Sequence, residues 1–89
     1  MNYCEYVCEL HPFTREQICY ARKSDGTYEC VGVVPIDSLC SFLVTNCYNN
    51  NAKKIHLVGP ASYVKRYVED IKYEENCHYG VCNIEVEIN

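Results

Sequence analysis

Eight cysteines and three histidines in 89 residues are the side chains most able to do chemistry in this chain. They could act as nucleophiles, metal ligands or disulfide halves. Spacing sorts these roles. Structural zinc is commonly held by two close pairs such as C-x2-C, because the turn between them sets the tetrahedral bite. Cys4 and Cys8 are a C-x3-C pair that an extended strand would hold about 13 Å apart. Only Cys77-His78-Tyr79-Gly80-Val81-Cys82 has a local shape suited to metal. Cys77, His78 and Cys82 are therefore the candidate zinc ligands, with the set completed from elsewhere. The even cysteine count and short chain also fit a secreted disulfide scaffold, in which Cys77–Cys82 is the favoured bridge. Against both stands position: Cys4 and Cys8 share one face of an alternating run, and Cys40 and Cys47 share a helical apolar stripe. Thiols placed so act as small apolar fillers in a reducing cytoplasm, and that reading is favoured. A Cys/His nucleophilic pair could arise by chance among so many thiols, and spacing singles none out.

Val58-Gly59-Pro60-Ala61-Ser62 stands at a strand-to-helix junction, where the backbone amides of Gly59, Ala61 and Ser62 could hold an anion. The simpler reading, which is favoured, is that Gly59 and Pro60 make the turn and start the helix. His56, between Ile55 and Leu57, points to the sheet face opposite both and reads as a hydrogen-bonded, partly covered histidine. Nine tyrosines are an excess. Tyr63 and Tyr67 lie one helical turn apart, and Tyr3 shares a strand face with Glu5 and Val7. Tyrosine presents rigid area with a polar tip, so these three are the candidate interface residues, set against packing at the core's edge. The chain has no G-x-G-x-x-G, P-loop or G-x-S-x-G motif, and no cofactor is implied.

The elements that must position these residues follow from periodicity. Residues 3–10 alternate, with Cys4, Tyr6, Cys8 and Leu10 on one side, which predicts a strand that ends at His11-Pro12. Residues 17–23 and 28–35 are β-favouring runs joined by Ser24-Asp25-Gly26-Thr27. A two-residue Asp25-Gly26 turn predicts Ala21 opposite Cys30. The period then changes: Asp37 is the expected N-cap of a helix whose apolar stripe is Ile36, Leu39, Cys40, Leu43 and Cys47. Asn49-Asn50-Asn51 closes it, since asparagine tolerates left-handed geometry. Residues 54–59 predict a central parallel strand. A second helix begins at Pro60 and buries Val64, Tyr67, Val68 and Ile71. The run from Cys82 to Asn89 alternates Cys82, Ile84, Val86 and Ile88 with Asn83, Glu85, Glu87 and Asn89, as an edge strand with one covered face does. The expected architecture is a single α/β domain over residues 1–89, βββαβαβ, with a mixed sheet and two helices.

The formal charge of −4 lacks the field that non-specific nucleic-acid binding needs, and the basic residues are scattered, so nucleic acid is not an expected partner. No apolar run approaches the ~20 residues of a membrane span. Residues 1–10 carry Glu5 and Glu9 and no basic region, so a secretory signal is not expected there and the chain reads as cytoplasmic.

The order of elements resembles the ribonuclease H-like fold, an antiparallel meander followed by parallel strands with sheet order 3-2-1-4-5. That resemblance implies metal-assisted phosphodiester hydrolysis by carboxylates from the first strand, the first helix and the end of the fourth strand. Glu5 and Glu9 are on the first strand, but the first helix offers only its cap, Asp37, and the fourth strand ends in Gly59-Pro60. None of the family's catalytic residues carries over. The segments KIHLVGPASYVKRYVEDI and NIEVEIN also look like small proteins of low-GC Gram-positive bacteria and their phages, which carry no assigned activity. The expectation is a non-catalytic protein–protein interaction or assembly module, its partner a second protein or itself in a homodimer. The alternatives are a small metal-dependent hydrolase or nucleic-acid enzyme, which would need Glu5 or Asp37, and a zinc-binding module around Cys77 and Cys82.

Overall fold

The alternating run at the N-terminus forms β1 (Tyr3–Glu9), the strand around which the sheet is built in a computed structural model that describes residues 3–89. β2 (Glu16–Lys23) and β3 (Tyr28–Pro35) complete an antiparallel meander. On the other side of β1, β4 (Lys54–Val58) pairs with it in parallel, and β5 (Glu85–Ile88) pairs in parallel with β4. The order is β3-β2-β1-β4-β5, the sheet order that the topological resemblance implies.

Two local departures change which side chains share a face. The hairpin loop is three residues long, not two: Lys23 and Thr27 close it, and Gly26 takes a φ of +91°. That geometry needs glycine, and the Asp25 carboxylate braces it by accepting from the Thr27 amide and hydroxyl. The extra loop residue sets Tyr20, not Ala21, opposite Cys30; a bulge at Val31 then restores the predicted register, with Ile18 opposite Val33. A second bulge at Cys4 shifts the start of β1. Tyr3 consequently lies beside Tyr6, ring centroids 6.0 Å apart, and packs on the core instead of sharing a face with Glu5 and Val7. Cys4, expected inward, is exposed.

A short 3-10 turn (Ile36–Ser38) leads into α1 (Leu39–Asn50), which buries Leu39, Leu43, Val44 and Cys47. Asp37 does not cap it: its carboxylate pairs with Arg15 at 2.6 Å, and the cap residue Ser38 makes no side-chain bond. Asn51 ends the helix at φ +58°, the left-handed geometry expected of the asparagine cluster. α2 (Ala61–Tyr79) is longer than the stripe Val64 to Ile71 demands, because the buried face continues to Glu75 before Gly80 stops it at φ +73°. The last strand therefore starts at Glu85, with Cys77 on the helix and Cys82 in the connection.

Both helices lie on one side of the sheet. Tyr6, Cys8, Leu10, Cys19, Ala21, Ile55 and Leu57 point to that side and are essentially without solvent exposure, in one core with Leu39, Leu43, Val44, Cys47, Val64 and Ile71. Four cysteines are core-facing or partly buried as fillers (Cys8, Cys19, Cys40, Cys47), whereas Cys4, Cys30, Cys77 and Cys82 are exposed. Among the described residues, no helix is long and apolar enough to cross a membrane.

Candidate functional site

Among the described residues, no helix lies over the opposite face of the sheet. Strand alternation puts Glu5, Val7 and Glu9 of β1, Ile18, Tyr20 and Arg22 of β2, and His56 and Val58 of β4 on that side. All of these are half-buried. Tyr28 and Val33 at the β3 edge are 58% and 57% exposed. Val7, Tyr20, Tyr28, His56 and Asn89 line a shallow depression of about 450 Å³.

Beside the apolar residues a row of ionisable groups crosses four strands. Arg22 Nε donates to Glu5 Oε2 at 2.6 Å, and His56 Nε2 meets Glu5 Oε1 at 2.9 Å. His56 Nδ1 lies 3.3 Å from Glu87 Oε1, and Lys54 Nζ lies 3.2 Å from Glu87 Oε2. Asn89 Nδ2 is 3.4 Å from the same ring nitrogen of His56. The row exists because Arg22 is opposite Glu5 on β2 and His56 is opposite Glu87 on β5, which makes these cross-strand neighbours. His56 and Arg22 hold the Glu5 carboxyl below its ordinary pKa, since both bond to the charged form. Glu87 likewise raises Lys54. The row is compensated, and the strands add Glu9, Glu16 and Glu85 on the same face, so carboxylates outnumber basic groups there. Chemically the arrangement offers a flat apolar patch with an acidic surround.

A third feature stands at the loop joining β1 to β2. Gln17 is buried at the start of β2, and its amide is fully used: Oε1 accepts from the His11 amide at 2.7 Å, while Nε2 donates to the carbonyls of His11 and Thr14. This brace fixes the loop, at whose tip Phe13 is 97% exposed. The period-two argument passes over this exposed ring.

The residues expected to carry a site fall elsewhere. Tyr63 and Tyr67 stack edge to face at 5.3 Å with Arg66 over Tyr63, and with Tyr3 they are partly buried against the core. The tyrosines on the open face are Tyr20 and Tyr28. The Gly59 amide donates to the Asn89 carbonyl at 3.4 Å, so it is not turned toward an anion, and a Cβ at Gly59 would meet the Leu10 carbonyl oxygen at 2.6 Å. Glycine is there for close strand packing. Ala61 and Ser62 are exposed in the first turn of α2, which has no side-chain cap.

Cys77, His78 and Cys82 are not gathered into a ligand set. Cys77 is exposed on α2, His78 pairs with Glu74 at 2.8 Å, and Cys82 leans on the Lys72 carbonyl. Among the described residues no three His, Cys, Asp or Glu side chains come together as metal ligands. Glu5 and Asp37, the carboxylates a hydrolase would need, are bound to different basic partners, Glu5 to Arg22 and His56 and Asp37 to Arg15.

Glu75 carries no signal in the sequence, because it stands beside Glu74 in a helical run rich in charged residues. It has no solvent exposure. Its carboxylate accepts from the Tyr48 hydroxyl, from the Asn83 amide at 3.0 Å and from the Ile84 amide at 3.2 Å. Tyr48 in turn stacks flat on Tyr79, ring centroids 3.7 Å apart. The hydrogen bond to Glu75 pushes the Tyr48 phenol up to about 12. This cluster ties α1 and α2 to the approach of β5, and every donor is used, so it reads as structure. No family model, curated protein or solved structure matches this chain.

Proposed function

We propose that the chain is a non-catalytic interaction module that docks a protein partner on the open face of its sheet. The observation that carries this reading is the uncovered side of a five-stranded sheet bearing Val7, Ile18, Tyr20, Tyr28, Val33 and Val58 in one patch. Monomeric proteins rarely leave contiguous apolar area of this kind uncovered, and Tyr supplies rigid contact area at small entropic cost. The excess of carboxylates around the patch selects the partner's chemistry. Two copies placed face to face would oppose acidic groups to acidic groups, so a partner with apolar residues ringed by Lys or Arg fits better than a second copy. The bare ring of Phe13 is a further anchor for such a partner.

The test is a titration of isotope-labelled protein with an amphipathic peptide of alternating Lys and Leu, followed by NMR. Amide shifts at Val7, Ile18, Tyr20 and Val33, with α1 and α2 silent, are expected, together with at least a tenfold loss in affinity for Tyr20→Glu. Shifts spread over the helices, or an equal response to a Glu/Leu peptide, would defeat the proposal. Sedimentation of the free protein checks the partner: a dimer that Tyr20→Glu dissociates would put a second copy on this face in place of the basic protein.

A further inference from the structure

Two of the buried thiols are in contact. Cys8 on β1 is directly opposite Cys19 on β2, and their sulfurs are 3.3 Å apart. Both side chains are without solvent exposure. It is the one sulfur–sulfur hydrogen bond among the eight thiols. The hydrogen bond with Cys19 and then burial push the Cys8 thiol up, so it is inert as a nucleophile while the sheet is closed.

We propose that Cys8 and Cys19 are a modification site: the pair closes into a cross-strand disulfide that locks β1 to β2. Directly opposed residues of an antiparallel pair have Cα atoms about 4.5–5.5 Å apart, inside the range a disulfide spans. The sulfurs need to approach by roughly 1.2 Å to reach bonding distance. The residue opposite Cys19 on β3 is Gly32, so no side chain of that strand wedges the sulfur in place; Phe42 lies 3.6 Å from where a Gly32 Cβ would be. The pairing favoured from spacing alone, Cys77 with Cys82, joins two exposed residues that make no sulfur contact, and the register brings together a pair eleven residues apart in the chain that spacing does not mark.

The oxidant is a small dialkyl disulfide. When the sheet opens, one protein thiol loses its proton to solvent, and its thiolate attacks a sulfur of the reagent. The reagent's S–S bond breaks, a mixed disulfide forms and one small thiolate leaves. The second protein thiolate then attacks the protein-bound sulfur, forming the Cys8–Cys19 bond and expelling the other small thiolate. Two protein thiols are oxidised by two electrons, one reagent disulfide is reduced to two thiols, and the two protons end on those thiols. Because both sulfurs are enclosed, the rate follows opening of the strands, and the finished bond is shielded from reductants by the same enclosure.

The test uses the full chain with the exposed thiols removed, Cys4→Ser/Cys30→Ser/Cys77→Ser/Cys82→Ser, incubated with oxidised glutathione in buffer and in urea below the unfolding midpoint. A mass loss of about 2 Da and a linked pair of tryptic peptides is expected, residues 1–15 carrying Cys8 and residues 16–22 carrying Cys19, formed several-fold faster in urea. The bond should then resist reduced glutathione until the protein is unfolded. Mixed glutathione adducts without a link, free thiols throughout, or a link through Cys40 or Cys47 would overturn the proposal. If the fourfold variant does not fold, fragmentation of the linked peptides from the unsubstituted chain, which separates Cys4 from Cys8 within residues 1–15, decides the matter.

Discussion

The two sides of one sheet hold carboxylates by different means. On the covered side Glu75 is enclosed and is bound only by neutral donors, the Tyr48 hydroxyl and two backbone amides. On the open side Glu5 keeps contact with water and is bound by Arg22 and His56. The difference follows from dielectric environment. An enclosed charge must have every acceptor site filled by groups the fold has already fixed, whereas a half-exposed one can share its charge with mobile ions and solvent. The same contrast runs along β4, where Leu57 is enclosed and its neighbour His56 is not. Damage to the covered side should therefore cost more stability than damage to the open side.

The sharpest break is Glu75→Leu. It strands the Tyr48 hydroxyl and the amides of Asn83 and Ile84 without an acceptor, at a cost of about 4 kcal/mol. Urea denaturation measures it, and a loss below about 1 kcal/mol would mean that the cluster is dispensable. Leu57→Ala comes next, at about 3 kcal/mol for a fully enclosed leucine, while His56→Ala beside it should cost about 1 kcal/mol or less. Equal losses at the two positions would erase the contrast between the faces. Gly59→Ala should cost about 2 kcal/mol, because the new methyl meets the Leu10 carbonyl; a neutral result would show that the β1 end gives way freely.

The smallest effect is electrostatic. Glu5→Gln should cost about 1 kcal/mol at neutral pH, given partial exposure. The folded pKa of Glu5 is lowered, so in the interval between folded and unfolded values the unfolded chain binds more protons, and stability rises with pH. The contribution is complete above about 4.5, the ordinary value for glutamate, and fades as pH falls through the lower folded value. Denaturation midpoints of the parent and Glu5→Gln proteins should thus differ at pH 7 and converge at strongly acid pH. A gap that stays constant down to acid pH would assign the loss to packing instead of charge.

Much of the fold was legible in the residues. Alternation located β1 and the closing strand's apolar side, the change of period located α1 and α2, and Asn51 ended α1 in the left-handed geometry asparagine tolerates. The site was less legible. His56 was placed correctly on the face opposite Leu57, but its neighbours Glu5 and Glu87 lie 51 and 31 positions away and meet it only through strand pairing. Glu75 and Gln17 carry no periodic signal, because a buried polar residue is recognised by its partners, and the partners come from other elements.

Single-residue shifts were the other source of error. The bulge at Cys4 moved Tyr3 to the core side, and the third loop residue moved Cys30 from Ala21 to Tyr20. A period of two makes every such shift a change of face. What the sequence by itself determined is the order of strands and helices along the chain and the greater part of the apolar stripe each one buries, since these depend on local periodicity and turn chemistry. What only the tertiary structure decided is which polar groups and sulfurs meet: the Glu5–His56–Glu87 row, the enclosed Glu75 and the Cys8–Cys19 contact. Those depend on register between strands distant in the chain, where a shift of one residue costs little locally and rearranges every contact across the sheet.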